Sequence, residues 1–408
     1  MVRLRTVRAS VILVSASYIS GCVPYRPAPL DVSRAIRPVP AALPATWTFE
    51  AATRYAVEHN PDLVALRARA TGAIVVPPRE PLEGAVGVDS DERAELGLSL
   101  DALSLLGLGL RPLEVALARA RRDEAWLAHH ERARAVAGEI AECFVIDRAL
   151  AELGEADHRV DVAAFVRAGF EAGSADVAAS ATAAAWAAEV AARDSERKRN
   201  RLALARALGL PPGSEVRPAI AALSWPAVPH VSPAAVVAAR ADVQRRVAAF
   251  EVADRALRVT VRAQFPTLIV EPGLAFDPAT GFGSVRLRVP TGMGATVRAA
   301  EAEREAARAE VESAILDALR EAGEARETWV AEIAALSAAR RRAESSTALL
   351  QSARVRLEVA SGSPVEAVLA ADAVVDAASG LRVATVDEAR SRVRAARAAG
   401  WPGLPTAP

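Results

Sequence analysis

The side chain whose surroundings best define a chemistry is Cys22. It closes the run Ile19-Ser20-Gly21-Cys22. Arg3, Arg5 and Arg8 precede a short apolar stretch, Ala9 to Ile19, which is too short to span a bilayer. This order reads as a bacterial secretory signal over residues 1–21 that ends in a lipobox, although Leu is commoner than Ile at its first position. Cys22 would then become the acylated first residue of a lipoprotein. Val23 follows where an Asp would resemble an inner-membrane retention signal, so the anchor points to the outer membrane. The alternative is an ordinary secretory signal with an incidental cysteine. Cys143, beside Phe144 and Ile146, reads as a buried small hydrophobe. With Cys22 lipidated, no intrachain disulfide remains.

Other reactive constellations are missing. The chain has no nucleophile elbow, P-loop, paired-cysteine motif or His-Glu-x-x-His pattern. The five histidines are scattered, and the adjacent pair His129-His130 would point about 100° apart on a helix, poor geometry for one metal. No catalytic residue, metal or cofactor is expected, and the chain does not read as an enzyme. The 50 basic residues balance the 50 acidic ones, which removes any electrostatic reason to expect nucleic acid binding.

The elements that carry these residues are long. Composition is 52% hydrophobic but 4% aromatic, so small apolar residues dominate, as suits closely packed helices. One pattern occurs twice. Arg167 precedes Gly173-Ser174 by six residues and Arg356 precedes Gly362-Ser363 by six, the two copies separated by close to half of the 408-residue chain. Each Gly-Ser pair reads as the turn of an antiparallel helical hairpin, with Gly accepting a positive φ and the next residues starting a helix. The first leg runs without proline from Leu113 to Gly173, roughly 90 Å at 1.5 Å per residue, with Gly138, Gly154 and Gly169 as weak points. The second runs from Ala295 to Ala360. Gly209 and Gly400 end corresponding return legs. Ser232-Pro233 starts one helix that reaches about Gln264.

Before each outgoing leg the period changes. Ala85 to Val88 and Ala94 to Leu100 form one strand pair; Leu96, Leu98 and Leu100 alternate with polar residues. Thr267 to Phe276 and Gly283 to Val289 form another, turning at 277–281, with Pro272 expected to interrupt its strand or lie at an edge. Such alternation suits a membrane barrel, with Arg286 and Arg288 towards a water-filled lumen. It equally suits short soluble hairpins capping the helices, with the two arginines on a solvated face. The expected organisation is 1–21 signal, 22–46 anchor and Pro-rich tether, 47–212 first repeat, 213–231 connector, 232–402 second repeat and 403–408 tail.

Three short motifs then point to a family. The chain carries Asn60-Pro61-Asp62-Leu63, then Leu208-Gly209-Leu210-Pro211-Pro212, then Ala239-Arg240-Ala241-Asp242-Val243. In this order they resemble the TolC-like outer-membrane efflux proteins, with Ala241 where the family's Arg-Pro-Asp element has proline. The resemblance implies a mainly α fold with a small β part: long antiparallel hairpins forming an α-barrel tunnel, and short β-hairpins giving four strands per protomer to a shared barrel. It implies a homotrimer in the Gram-negative outer membrane, reaching into the periplasm. It also implies an exit duct for small-molecule efflux, working with a periplasmic adaptor and an inner-membrane transporter. By position, Gly173, Ser174, Gly362 and Ser363 would meet the adaptor, besides forming the turns. The family often places aspartates just after the second tip. Here Ala367, Val368, Leu369 and Ala370 fill most of that region, so Glu366 and Asp372 are the candidate gate, narrower in charge or more apolar. The second reading is a non-conducting, lipid-anchored periplasmic scaffold, which the short strands favour.

Overall fold

The computed structural model describes residues 44–73, 82–88, 94–101, 110–157, 176–211, 213–214, 216–219, 232–265, 267–276, 279–288, 290–359 and 361–401. The signal segment, Cys22, most of the tether and of the connector, the Gly173-Ser174 turn and the tail lie outside them.

The body begins at Trp47. Its backbone bridges Pro218, its N–H donates to Arg217 O at 2.8 Å, and its own carbonyl accepts from Ala219 N at 2.6 Å. Thr48 opens α1 (Phe49–His59) by accepting from Ala51 N at 3.2 Å. Asn60 separates α1 from α2 (Pro61–Gly72) with an extended backbone, φ −63° and ψ 123°. Its Oδ1 accepts from Asp62 N at 3.0 Å, and Pro61 fills the first helical position, where no N–H is needed. After β1 (Leu82–Val88) and β2 (Ala94–Asp101) comes α3 (Arg111–Asp157), whose 47 residues span about 70 Å. It passes unbroken through Gly138. The return helix α4 (Asp176–Ala207) lies antiparallel to it, with Asn200 Nδ2 donating to Cys143 O at 2.6 Å.

The second half repeats the opening move by other means. The expected single helix from Ser232 is broken: α5 (Pro233–Ala239) stops, Arg240 is extended at φ −76° and ψ 120°, and α6 (Ala241–Arg262) begins. No proline enforces this break. Instead the Arg240 guanidinium forks onto Asp242 at 2.8 and 2.7 Å and reaches Glu321 at 2.6 Å. Those hydrogen bonds, with Asp242 first, outweigh desolvation and raise the Arg240 pKa. Burial pushes the Asp242 carboxyl up, but the Arg240 fork and backbone N–H groups hold it below the usual range.

After β3 (Thr267–Phe276) and β4 (Ala279–Arg288) comes α7 (Gly294–Glu358), whose 65 residues span about 98 Å. The last helix, α8 (Pro364–Ala398), runs back along it, Trp329 Nε1 donating to Glu388 Oε1 at 3.2 Å. Both return helices run the same way. Arg382 of α8 binds Glu189 of α4 at 2.6 Å and Glu196 at 2.8 Å, and Arg390 lies 3.8 Å from Glu196.

The four strands form one antiparallel sheet in the order β1-β2-β3-β4, so the β2–β3 pair joins the two halves. Register aligns Leu82, Leu100, Val270 and Val285 across all four strands, and Val86, Leu96 and Leu274 across three. Alternate positions pair Glu83 with Ser99 and Arg286 with Ile269. Phe276 pairs Ala279, so the second hairpin turns within two residues rather than the five expected. Pro272 does not end or edge its strand: β3 is central. The β2–β3 ladder skips from Gly97↔Gly273 to Leu100↔Val270 around it, as a residue without N–H requires.

The core sits midway along the helices. One cluster gathers Trp47, Leu63, Val136, Ile140, Phe144, Leu204, Leu208 and Leu210. A second joins α3 to α8 through Ile146, Leu150, Val386 and Val393, with Phe49 stacked on Trp401 at 6.0 Å. Both return helices end over this core in the same cap. Gly209 N donates to Arg206 O and Leu210 N to Ala205 O; Gly400 N donates to Arg397 O and Trp401 N to Ala396 O. Both glycines take positive φ, 74° and 88°. Both press on a helix break. A Cβ on Gly209 would stand 2.9 Å from Asn60 Cα and Pro61 Cδ, and one on Gly400 would overlap Ala239 Cβ.

Gly400→Ala therefore meets both backbone strain and a clash, whereas Gly213, at φ 88°, has nothing within 4 Å. Thermal unfolding should place Gly213→Ala at the strain cost alone, about 1–3 kcal/mol, and Gly400→Ala clearly beyond it. Equal losses would mean that the contact with the α5–α6 break carries no weight.

Candidate functional site

The described hairpin tip is built on one carbonyl. Arg356 O accepts from Ser361 N at 2.9 Å and from Gly362 N at 3.0 Å, with Ser361 Oγ at 3.3 Å. Gly362 is not in the left-handed region, contrary to the sequence expectation. It is small for a steric reason: a Cβ there would stand 2.9 Å from Arg356 Cβ and 3.1 Å from Arg356 C. Ser363 then opens α8, its Oγ accepting from Val365 N at 3.2 Å before Pro364. Arg356 and Glu366 approach to 3.9 Å across the turn, but both are more than half exposed, so the pair contributes little. Gly173, Ser174 and Cys22 lie outside the described residues.

Beyond the tip the faces of α8 separate. Val368, Ala371 and Val374 turn inward onto Leu350, with Trp186 of α4 against them. Val365 and Leu369 remain exposed at 55% and 64%, as do Glu366, Asp372 and Asp376. The exposed apolar pair thus brackets Glu366, and Asp372 and Asp376 follow it. Glu366 and Asp372 do not meet across one face, being six residues apart. Asp376, one turn past Asp372, extends the acidic stripe; its i, i+4 spacing was the available signal. Arg286 and Arg288 occupy β4 opposite Ile269 and Thr267.

Reactive groups are quiet. Burial pushes the Cys143 thiol up to about 12, so it stays protonated. No group of three His, Cys, Asp or Glu that could hold a metal occurs among the described residues. His129 and His130 have ring centroids 5.7 Å apart at 78°. His129 is buried with neither ring nitrogen hydrogen-bonded, and burial, then the His130 and Arg67 charges, lower its pKa from 6.5. No helix among the described residues is long and apolar enough to cross a membrane.

Two measurements follow from this geometry. Ser363→Ala and Gly362→Ala should loosen the tip; Ser363→Ala should cost about 0.5–2 kcal/mol locally. Amide exchange across 359–366 should accelerate in both while the waist around Ile140 stays protected. Unchanged exchange would mean that the cap and the close approach do not hold the turn. The buried His129 resists protonation in the fold, so its contribution is intact above its unfolded pKa, 6.5, and is lost as pH falls below it. The drop in melting temperature between pH 7.5 and 5.5 should therefore shrink in His129→Leu; an identical drop would place the acid sensitivity elsewhere.

No family model matches the sequence, and no curated protein matches it. Solved structures do. The open state of the Neisseria gonorrhoeae outer-membrane channel MtrE is similar at a TM-score of 0.69 and 15% identity, over 87% of this chain and 89% of that one. CusC, whose crystal structures concern folding and transmembrane channel formation, gives 0.69 at 18% identity, over 93% of this chain and 99% of that one. The Vibrio cholerae outer-membrane protein VceC gives 0.64 at 15% identity, over 86% and 96%. At these identities the likeness is one of fold, and the mainly helical chain has the fold of the TolC-like outer-membrane channels.

Proposed function

We propose that the chain is the outer-membrane channel of a tripartite efflux system. Three copies assemble, each giving four strands to a shared barrel and its long hairpins to a periplasmic duct. Cys22 carries the lipid anchor, and the Gly173-Ser174 and Gly362-Ser363 tips face a periplasmic adaptor that links the duct to an inner-membrane transporter. Residues 47–212 and 232–402 are the two structural repeats; the paired Asn60 and Arg240 breaks, each under a terminal glycine, support that division. The cargo is small molecules.

The observation that carries the reading is the extent of the fold likeness: 93% of this chain lies on 99% of CusC. Two features of the single chain agree with it. The sheet leaves β1 and β4 at its edges, and an open edge calls for a further strand, which a neighbouring copy supplies. Helix α7 buries only Ala318, Leu336, Ser346, Leu350 and Ala353, while Leu316 and Val330 are exposed at 68% and 51%. Such a helix gains its packing from other chains. The aligned apolar register faces lipid, and the alternate set, with Arg286 and Arg288, faces water. Val365 and Leu369, on either side of Glu366, then narrow the closed end together with Glu366 and Asp372.

One observation favours a non-conducting scaffold. Strands β1 and β2 have 7 and 8 residues, below the usual 9–11 or so of a membrane strand. Reconstitution in planar bilayers decides between the two. The purified full-length trimer should give discrete single-channel steps. Leu98→Arg and Leu287→Arg should abolish insertion, each costing about 2–4 kcal/mol near the bilayer midplane. Absence of conductance, with normal yield of both variants, would establish the scaffold.

A further inference from the structure

Between α3, the α5–α6 break, α7 and the end of α8 lies a cavity of about 600 Å³. Its charged lining divides into two kinds. Three of the acids are engaged: Arg240 holds Asp242 at 2.7 Å and Glu321 at 2.6 Å, and Arg245 holds Glu131 at 3.1 Å, while the exposed Glu324 only approaches the exposed Arg320 at 3.9 Å. The remaining bases are not. Arg134 of α3 and Arg394 and Arg397 of α8 line the same cavity, and among the described residues none of the three has an ion pair. One hydrogen bond is spent among them, from Arg134 Nη1 to Ala239 O at 2.7 Å.

Three guanidinium groups around one space repel one another. Arg394 and Arg397, three residues apart, share a face of α8, where like charges are unfavourable. The negative end of the α8 dipole offsets part of this. What remains is a set of planar N–H donors from two helices with no acceptor, the arrangement that carboxylates and phosphates satisfy in bidentate fashion. The position of Arg397 is fixed from the other side. Its Cδ and Nε lie over Gly138, where a Cβ would stand 2.5 Å from each. A mid-helix glycine is unfavourable in α3, and here it admits the Arg397 stem.

We propose that this cavity binds a small oxyanion, a phosphate or a carboxylate, through Arg134, Arg394 and Arg397. The test uses the full-length chain purified in detergent at low ionic strength, with inorganic phosphate and acetate as probes in calorimetric titration. Saturable binding at one site per chain is expected, weakened at least tenfold in R394Q/R397Q and unchanged in R354Q, an arginine exposed near the tip and outside the cavity. Arg394 is itself exposed, so R394Q alone should fold and should weaken binding in the same direction. Two results overturn the proposal. One is no saturable binding of either probe, or equal binding in R394Q. The other is a loss of native oligomer mass in R394Q while neither probe binds the wild type, which would give these arginines to a contact between copies.

Discussion

The close approach of two left-handed glycines to two helix breaks is the constraint on which the rest of the structure hangs. Gly209 lies against Asn60 and Pro61, and Gly400 against Ala239. Each contact joins the end of a return helix to the start of its own half. It therefore fixes which turn of the return helix stands over which turn of the opening pair. Asn60 Nδ2 adds a hydrogen bond to Ala207 O at 2.9 Å, so the first contact is directional as well as steric. Once these two registers are set, Leu204 and Leu208 fall against Leu63, and Trp401 against Phe49.

How much of this was legible depends on how local its cause is. Asn60-Pro61-Asp62 announces a break because an Asx cap and a first-turn proline act within three residues. Gly209 and Gly400 were readable for the same reason, as helix stops. The break at Arg240 was not, because its motif resemblance came without the proline that would enforce it. It is held instead by the Arg240 fork onto Asp242 and by Glu321, 81 residues on. Gly362 and Pro272 were each read only in part: Gly362 does form the turn but without a positive φ, and Pro272 does interrupt a ladder but in a central strand. The glycine there serves a contact with Arg356, and the proline is tolerated by a gap in one ladder of a central strand. Residue type signals that a position is special; only the neighbour across space says why. The Arg382 cluster with Glu189 and Glu196 gave no signal at all, since its partners lie on a helix from the other half.

The division of apolar residues follows from the same waist. Aromatic side chains make up 4% of the chain, and Trp47, Phe49, Tyr55, Phe144 and Trp401 collect where α1, α3 and the cap of α8 meet. There the layer of helices is thick enough to enclose a ring. Away from the waist the most deeply buried side chains are small, such as Ala318, Ala353 and Ala371, and Trp186 is only partly buried. Alanine, valine and leucine suit that setting, because they let helices approach closely without needing enclosure.

That geometry also separates what stabilises the chain from what it leaves available. The waist holds its own core, while much of α7 is exposed along a helix of about 98 Å. A free helix of that length would fray from its far end, and the tip is where fraying would begin. There the turn is closed by two backbone N–H groups on Arg356 O and by the Ser363 cap, all made within one chain. The end furthest along the hairpin from the waist therefore keeps its shape with only the small cluster of Leu350, Val368, Ala371 and Val374 beside it. Its surface, with Val355, Val359 and Val365 exposed, is presented on a turn whose geometry is already set. Whatever meets it loses little entropy in ordering it.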